Sequence, residues 1–176
     1  MKLKKIVVKP HKQKWKHAFI LIRKRLQKVL HTSDELIHHI GSTAVEGLPA
    51  KSIIDIDIEI KTIQSFAHTK QKLSRLGYHH VGDQGIKGRE VFKLKRWNLL
   101  PKHHLYVCVS GSSELKRHLA FRDYLITHPD AKEAYGKLKL EAAKKHPYDM
   151  DAYLRMKGEL INKIYRELGL ESFRLR

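Results

Sequence analysis

The chain has 176 residues, enough for one compact domain with a buried core and short for two, and carries 36 Lys or Arg against 18 Asp or Glu, a formal net charge of +18. No apolar run approaches the roughly 20 residues that cross a bilayer, and the basic start MKLKKIVVKPHK lacks the apolar stretch of a secretory leader, so a soluble, cytoplasmic protein with no membrane partner is expected. The single cysteine, Cys108, excludes an internal disulfide and a Cys-x-x-Cys zinc site and reads as a buried small hydrophobe.

The charge is uneven. Residues 1–33 hold eleven Lys or Arg and no acid, whereas residues 141–176 hold eight basic and six acidic residues. Such a field attracts nucleotides, nucleic acid or an acidic surface, with an attraction that fades in salt. A solvated lysine-rich helix face has the same composition and specifies no partner.

After Pro10, apolar residues recur at Trp15, Phe19, Ile22, Leu26 and Val29 or Leu30, the spacing of an amphipathic helix with Lys12, Lys16, Arg23 and Lys24 outward. LIHHI reads as a short strand, residues 41–51 as a loop and IIDIDIEI as a second strand. A helix is predicted over 62–76 with Ile63, Phe66, Leu73 and Leu76 inward, ended by Gly77. YHHV, REVFKLK and HHLYVCV supply three more strands. From Ser113 the pattern is helical: 113–126, then 130–145 with Asp130 and Glu133 spaced as a capping box, then 149–169, punctuated by Pro129 and Pro147. The expected fold is α+β, one domain over 1–176 with a mixed sheet flanked by helices and a helical C-terminal part.

The chemistry concentrates in HHIGSTAVEGLPAKSIIDIDIEI, residues 38–60. On a strand, residues two apart face the same way with α-carbons about 6.5–7 Å apart, so Asp55, Asp57 and Glu59 share one face and the isoleucines the other. Two neighbouring carboxylates repel, and sheltering either unpaired costs several kcal/mol, so a sheltered pair calls for a cation. Magnesium suits one or two carboxylates together with substrate phosphates. A wet edge strand would explain an isolated Asp-x-Asp equally well. Upstream, Gly41 permits close backbone approach and Ser42 offers a hydroxyl and an N–H to a phosphate oxygen, so the two features together describe a triphosphate held at one end and metal at the other.

The run HHIGSTAVEGLPAKSIIDIDI resembles the signature of the GrpB-like family, which belongs to the nucleotidyltransferase superfamily with a DNA polymerase beta type of fold. The resemblance continues through GIKGREVF, LPKHHLYVC, RHLAFRDYLITHP, YGKLK and YLRMK, covering about residues 8–168. It implies a nucleotidyltransferase-like fold, a glycine-serine motif at Gly41 and Ser42, and metal-binding carboxylates at Asp55 and Asp57 taking Mg2+ or Mn2+. A third carboxylate on a neighbouring strand usually acts as base in this superfamily. Here the matching strand is HHLYVCV, whose two faces, His104, Tyr106, Cys108 or His103, Leu105, Val107, contain no acid. His104 is the expected substitute, with Glu59 and Asp123 as weaker choices.

Lys51, Arg89 and Arg122 are expected phosphate ligands, each with a plainer role as a surface lysine, a strand arginine or a helix-to-sheet tie. Tyr153 and Lys157, four apart on the last helix, are possible lining residues. Three histidine pairs, at 38–39, 79–80 and 103–104, point to opposite faces of their strands, which disfavours a zinc centre. The expected function is magnesium-dependent transfer of a nucleotidyl group from a nucleoside triphosphate to a hydroxyl or phosphate acceptor, RNA or another polyanion among them. The alternatives are a non-catalytic nucleotide-binding module, or a protein binding RNA through its basic N-terminal helix.

Overall fold

The computed structural model describes residues 4–31, 36–94 and 100–172. The elements run α1 (Lys14–Leu30), β1 (Ile37–Ile40), a 3-10 turn at Ser42–Ala44, β2 (Ile54–Ile60), α2 (Ser65–Arg75), β3 (Tyr78–His80), β4 (Arg89–Leu94), β5 (His103–Val109), α3 (Ser113–Thr127), α4 (Pro129–Lys145) and α5 (Met150–Glu167). The five strands form one mixed sheet in the order β1-β2-β5-β4-β3. Among the described strands only the central β2–β5 pair is parallel, with α2, β3 and β4 lying between its two members in the chain. This is the α+β architecture expected from the sequence.

The alternation of β2 sets the layers. Ile54, Ile56, Ile58 and Ile60 are buried and pack with Leu105 and Val107 of β5 against the Trp15, Phe19, Ile22 and Leu26 stripe of α1. Each such fully buried side chain contributes about 1.5–3 kcal/mol. The opposite face carries Asp55, Asp57 and Glu59 and is covered by the C-terminal helices. There a second cluster joins Val45 and Leu48 of the loop to Leu125, Tyr135 and Ile164, and a third joins Ile6 to Ala142 and Tyr153.

Two sequence expectations need correction. Ile63 is exposed, because α2 begins two residues later and its buried positions are Thr69 and Leu73. The Asp130–Glu133 capping box does not form; Pro129 opens α4, whose flanking His128 makes no side-chain cap, and Glu133 pairs with Lys137 instead at 2.6 Å. The side-chain cap is one helix later, where Asp149 accepts from Ala152 N–H at 2.9 Å. The strand expected to run to Lys95 is described as far as Leu94, and Lys95 itself lies outside the described residues. Among the described residues no helix is long and apolar enough to cross a membrane.

Candidate active site

Strand register brings the acids beside histidines. Asp55 lies opposite Ile40 on β1 and His104 on β5, and Asp57 lies between His38 and Tyr106. The face of β5 turned toward the acids is therefore the His104, Tyr106, Cys108 set. His104 Nδ1 donates to Asp55 Oδ1 at 2.8 Å, with the histidine side chain 47% exposed. Asp57 is completely buried. Its Oδ2 accepts from His118 Nδ1 of α3 at 2.7 Å, while its Oδ1 has no hydrogen-bond partner. A buried carboxylate oxygen without a donor is an unmet demand for positive charge.

His118 is itself held in an acidic setting, with Nε2 3.6 Å from buried Glu114, which is ion-paired to Arg117. Burial works against a proton on His118, but the charge and hydrogen bond of Asp57, with Glu114 behind, outweigh it and raise the pKa above the ordinary histidine value. Local sequence spacing gives His118 no such role; only the docking of α3 puts it on Asp57.

Gly41 turns the chain at φ 67°, in the left-handed region. A β-carbon there would stand 2.6 Å from Asp55 Oδ2, so glycine is demanded both by the backbone and by the carboxylate. Ser42 opens the 3-10 turn and lines the cavity. Thr43 is fixed beneath, its hydroxyl 3.0 Å from His39 Nε2, and His39 stacks on Phe19.

These pieces border one cavity of about 300 Å³, lined by Gly41, Ser42, Asp55, His104 and Tyr106 on the sheet side. Three lysines, Lys51, Lys139 and Lys157, line it as well. Lys139 is 1% exposed, its Nζ has no hydrogen-bond partner, and it rests 4.9 Å from the Tyr135 ring. Burial above all, then the like charges of Lys157 and Lys51 against the opposing pull of Asp55, bring its pKa down to about 6. Lys51 and Lys157 approach the Tyr153 ring at 5.6 and 4.9 Å. Lys51 is also lowered, by burial first and then by Lys157.

Lys139 is the site residue that sequence reading missed. Its signal was present, because Tyr135 and Lys139 on α4 repeat the four-residue spacing of Tyr153 and Lys157 on α5, and Lys139, Tyr153 and Lys157 line one cavity.

The remaining expected residues are spread out. Arg89 does not line the main cavity; it packs 4.7 Å from the Tyr106 ring and borders an adjoining hollow of about 190 Å³ with Glu114, His118 and Lys157. Arg122 lies outside both, donating to the His39 carbonyl at 3.1 Å and to Asp123 at 2.7 Å, the helix-to-sheet tie. Of the weaker acids, Glu59 is joined to His38 at 2.8 Å and neither it nor Asp123 lines the main cavity.

Residues 5–167 match the family described as GrpB protein. The chain is 34% identical over 158 residues to UPF0157 protein YqkA of Bacillus subtilis, covering 90% of this chain but 46% of that protein, and so spans about half its length. It is 30% identical over 166 residues to the glutamate-rich protein GrpB of Alkalihalophilus pseudofirmus, across 93% of this chain and 95% of the relative. The crystal structure of the conserved protein GrpB from Enterococcus faecalis matches with a TM-score of 0.73 at 29% identity, covering 90% of this chain and 99% of that one. The chain belongs to the GrpB family.

Proposed function

We propose that the cavity binds a nucleoside triphosphate with a divalent cation and transfers its nucleotidyl group to an acceptor. The observation that carries this reading is one cavity lined both by Asp55 and by three lysines, among them the buried, unpaired Lys139, with Asp57 and its orphaned oxygen buried two residues along β2 from Asp55. A polyphosphate with a bound cation answers both demands.

In this reading Asp55 and Asp57 hold Mg2+ or Mn2+, to which the orphaned Asp57 Oδ1 is suited. The cation, when bound, supplies charge neutralisation at the α-phosphate. Gly41 and Ser42 present backbone and hydroxyl to phosphate oxygens, and Lys51, Lys139 and Lys157 carry the charge of the tail. His104, with Nδ1 engaged on Asp55, offers Nε2 as the acceptor of the proton from the attacking hydroxyl. The new bond joins that oxygen to the α-phosphorus, and the bond to the departing diphosphate breaks.

The test is incubation with each α-labelled nucleoside triphosphate, magnesium or manganese, and pools of RNA, protein and metabolites. Label transfer by the native chain, lost in Asp55→Asn and Asp57→Asn, is the expected result. A second reading, a nucleotide-binding module without turnover, is favoured by one observation: β5 carries no carboxylate beside the pair. Metal-dependent binding without transfer in any pool would select it.

A further inference from the structure

A second basic cavity adjoins the first and has a different chemistry. It measures about 260 Å³, and five of its lining residues are lysines: Lys4, Lys5, Lys9, Lys51 and Lys102. Among its lining residues there is no carboxylate, and its apolar surface comes from Ile6, Val7, Ile53 and Met150. Lys51 and Ile53 also line the proposed nucleotide cavity, so the two are neighbours that share a wall.

This is a built hollow, because the segment that carries three of the lysines is anchored. Lys9 and Ala50 exchange both backbone hydrogen bonds at 2.8 Å, and Ile6 N–H donates to the Pro147 carbonyl at 2.8 Å. The Ile6 side chain is buried in the cluster with Ala142 and Tyr153. Lys102 is fixed from the other side by Ile54 N–H, which donates to its carbonyl at 3.0 Å. Burial, and then the neighbouring charge of Lys4, lower the Lys102 pKa. Ammonium groups gathered around one hollow without an acid repel one another until an anion arrives.

We infer that this second cavity seats one phosphorylated nucleotide unit of the acceptor, its phosphates on Lys4 and Lys102 and its apolar body on Val7, Ile53 and Met150. The cavity is of single-nucleotide size, and the mixture of ammonium groups with an aliphatic floor suits an anionic ester better than inorganic phosphate. As the acceptor seat it rests on the reading of the first cavity; as a binding site it does not. A free mononucleotide and a unit of a single strand present the same chemistry.

The experiment measures binding of a dye-labelled ten-nucleotide RNA and, separately, of AMP and ADP to the full chain across a salt series. Three proteins are compared: native, Lys4→Gln/Lys102→Gln, and Lys24→Gln/Lys28→Gln, whose two lysines are exposed on α1 away from this cavity. The first double variant is expected to weaken binding about tenfold and, for RNA, to reduce the log-log salt slope by about 1.4, two contacts at roughly 0.7 each. The second is expected to retain native affinity within about twofold. Loss with RNA alone identifies the strand as the source, and loss with AMP or ADP identifies the free nucleotide. Unchanged affinity for every probe in the first variant, or an equal loss in the second, overturns the site. Asp55→Asn separates the two readings, since it is expected to abolish transfer while leaving the seat intact; seat binding without any transfer by the native chain would sink the catalytic reading alone.

Discussion

Lys139 has a stability cost in the ligand-free protein and a use in the bound one. Its pKa of about 6 means that between pH 6 and 10.5 the unfolded chain holds a proton there that the folded chain releases. Stability from this group therefore rises with pH across that window and falls as pH drops toward 6. Lys139→Met is expected to stabilise the free protein by about 2–4 kcal/mol at neutral pH, read as a higher urea midpoint whose advantage shrinks toward pH 10. The same variant is expected to weaken nucleotide binding about 10- to 100-fold, because a charge-assisted contact is lost. Stabilisation without loss of affinity would remove Lys139 from the site. His39 titrates with the same sign. Its burial lowers its pKa to about 4, so the unfolded chain binds the extra proton below pH 6.5 and stability falls from there toward pH 4, by about 3 kcal/mol in all. His39→Phe should flatten that acid limb in urea titrations. Glycine positions divide by surroundings. Gly41→Ala meets both the strained φ and Asp55 Oδ2 at 2.6 Å, and is expected to cost about 3 kcal/mol, whereas Gly82→Ala, with nothing within 4 Å, should cost only about 1 kcal/mol.

Among the elements, α3 is the one that converts a strand motif into a site. The two histidine–aspartate pairs of the site, His104–Asp55 and His118–Asp57, have similar distances, but the first is largely exposed and the second is buried with Asp57. Removing a partner from a buried charge costs about 3–5 kcal/mol, while an exposed pair is worth under about 1 kcal/mol. Chemical unfolding should therefore report a large loss for His118→Ala and a small one for His104→Ala; equal losses would mean that the two acids share one environment. The helical periods of α1 and α5 were legible in the apolar spacing, and so was the alternation of β2. The capping box at Asp130 was not, because a cap depends on the backbone entering the helix, and Pro129 takes that place. Ile63 misled for a related reason: periodicity gives the face of a helix but not the residue at which it starts.

At the scale of the molecule, two adjoining cavities share a wall at Lys51 and Ile53, and lysines line both. The N-terminal lysines, one basic stretch in the sequence, divide: Lys24 and Lys28 stay on the outer helix, while Lys4, Lys5 and Lys9 line the second cavity beside the bridge at Ala50. The amino-acid sequence by itself determined the glycine-serine turn, the Asp-x-Asp face of β2 and the order of helices and strands, because those follow from side-chain alternation and from which residues permit a left-handed turn. Tertiary structure decided that His118 guards Asp57, that Lys139 is buried without a partner, and that Arg122 is tied to the sheet. Those outcomes depend on which helices dock over the acidic face, and long-range electrostatics and burial act between residues that local sequence spacing does not relate.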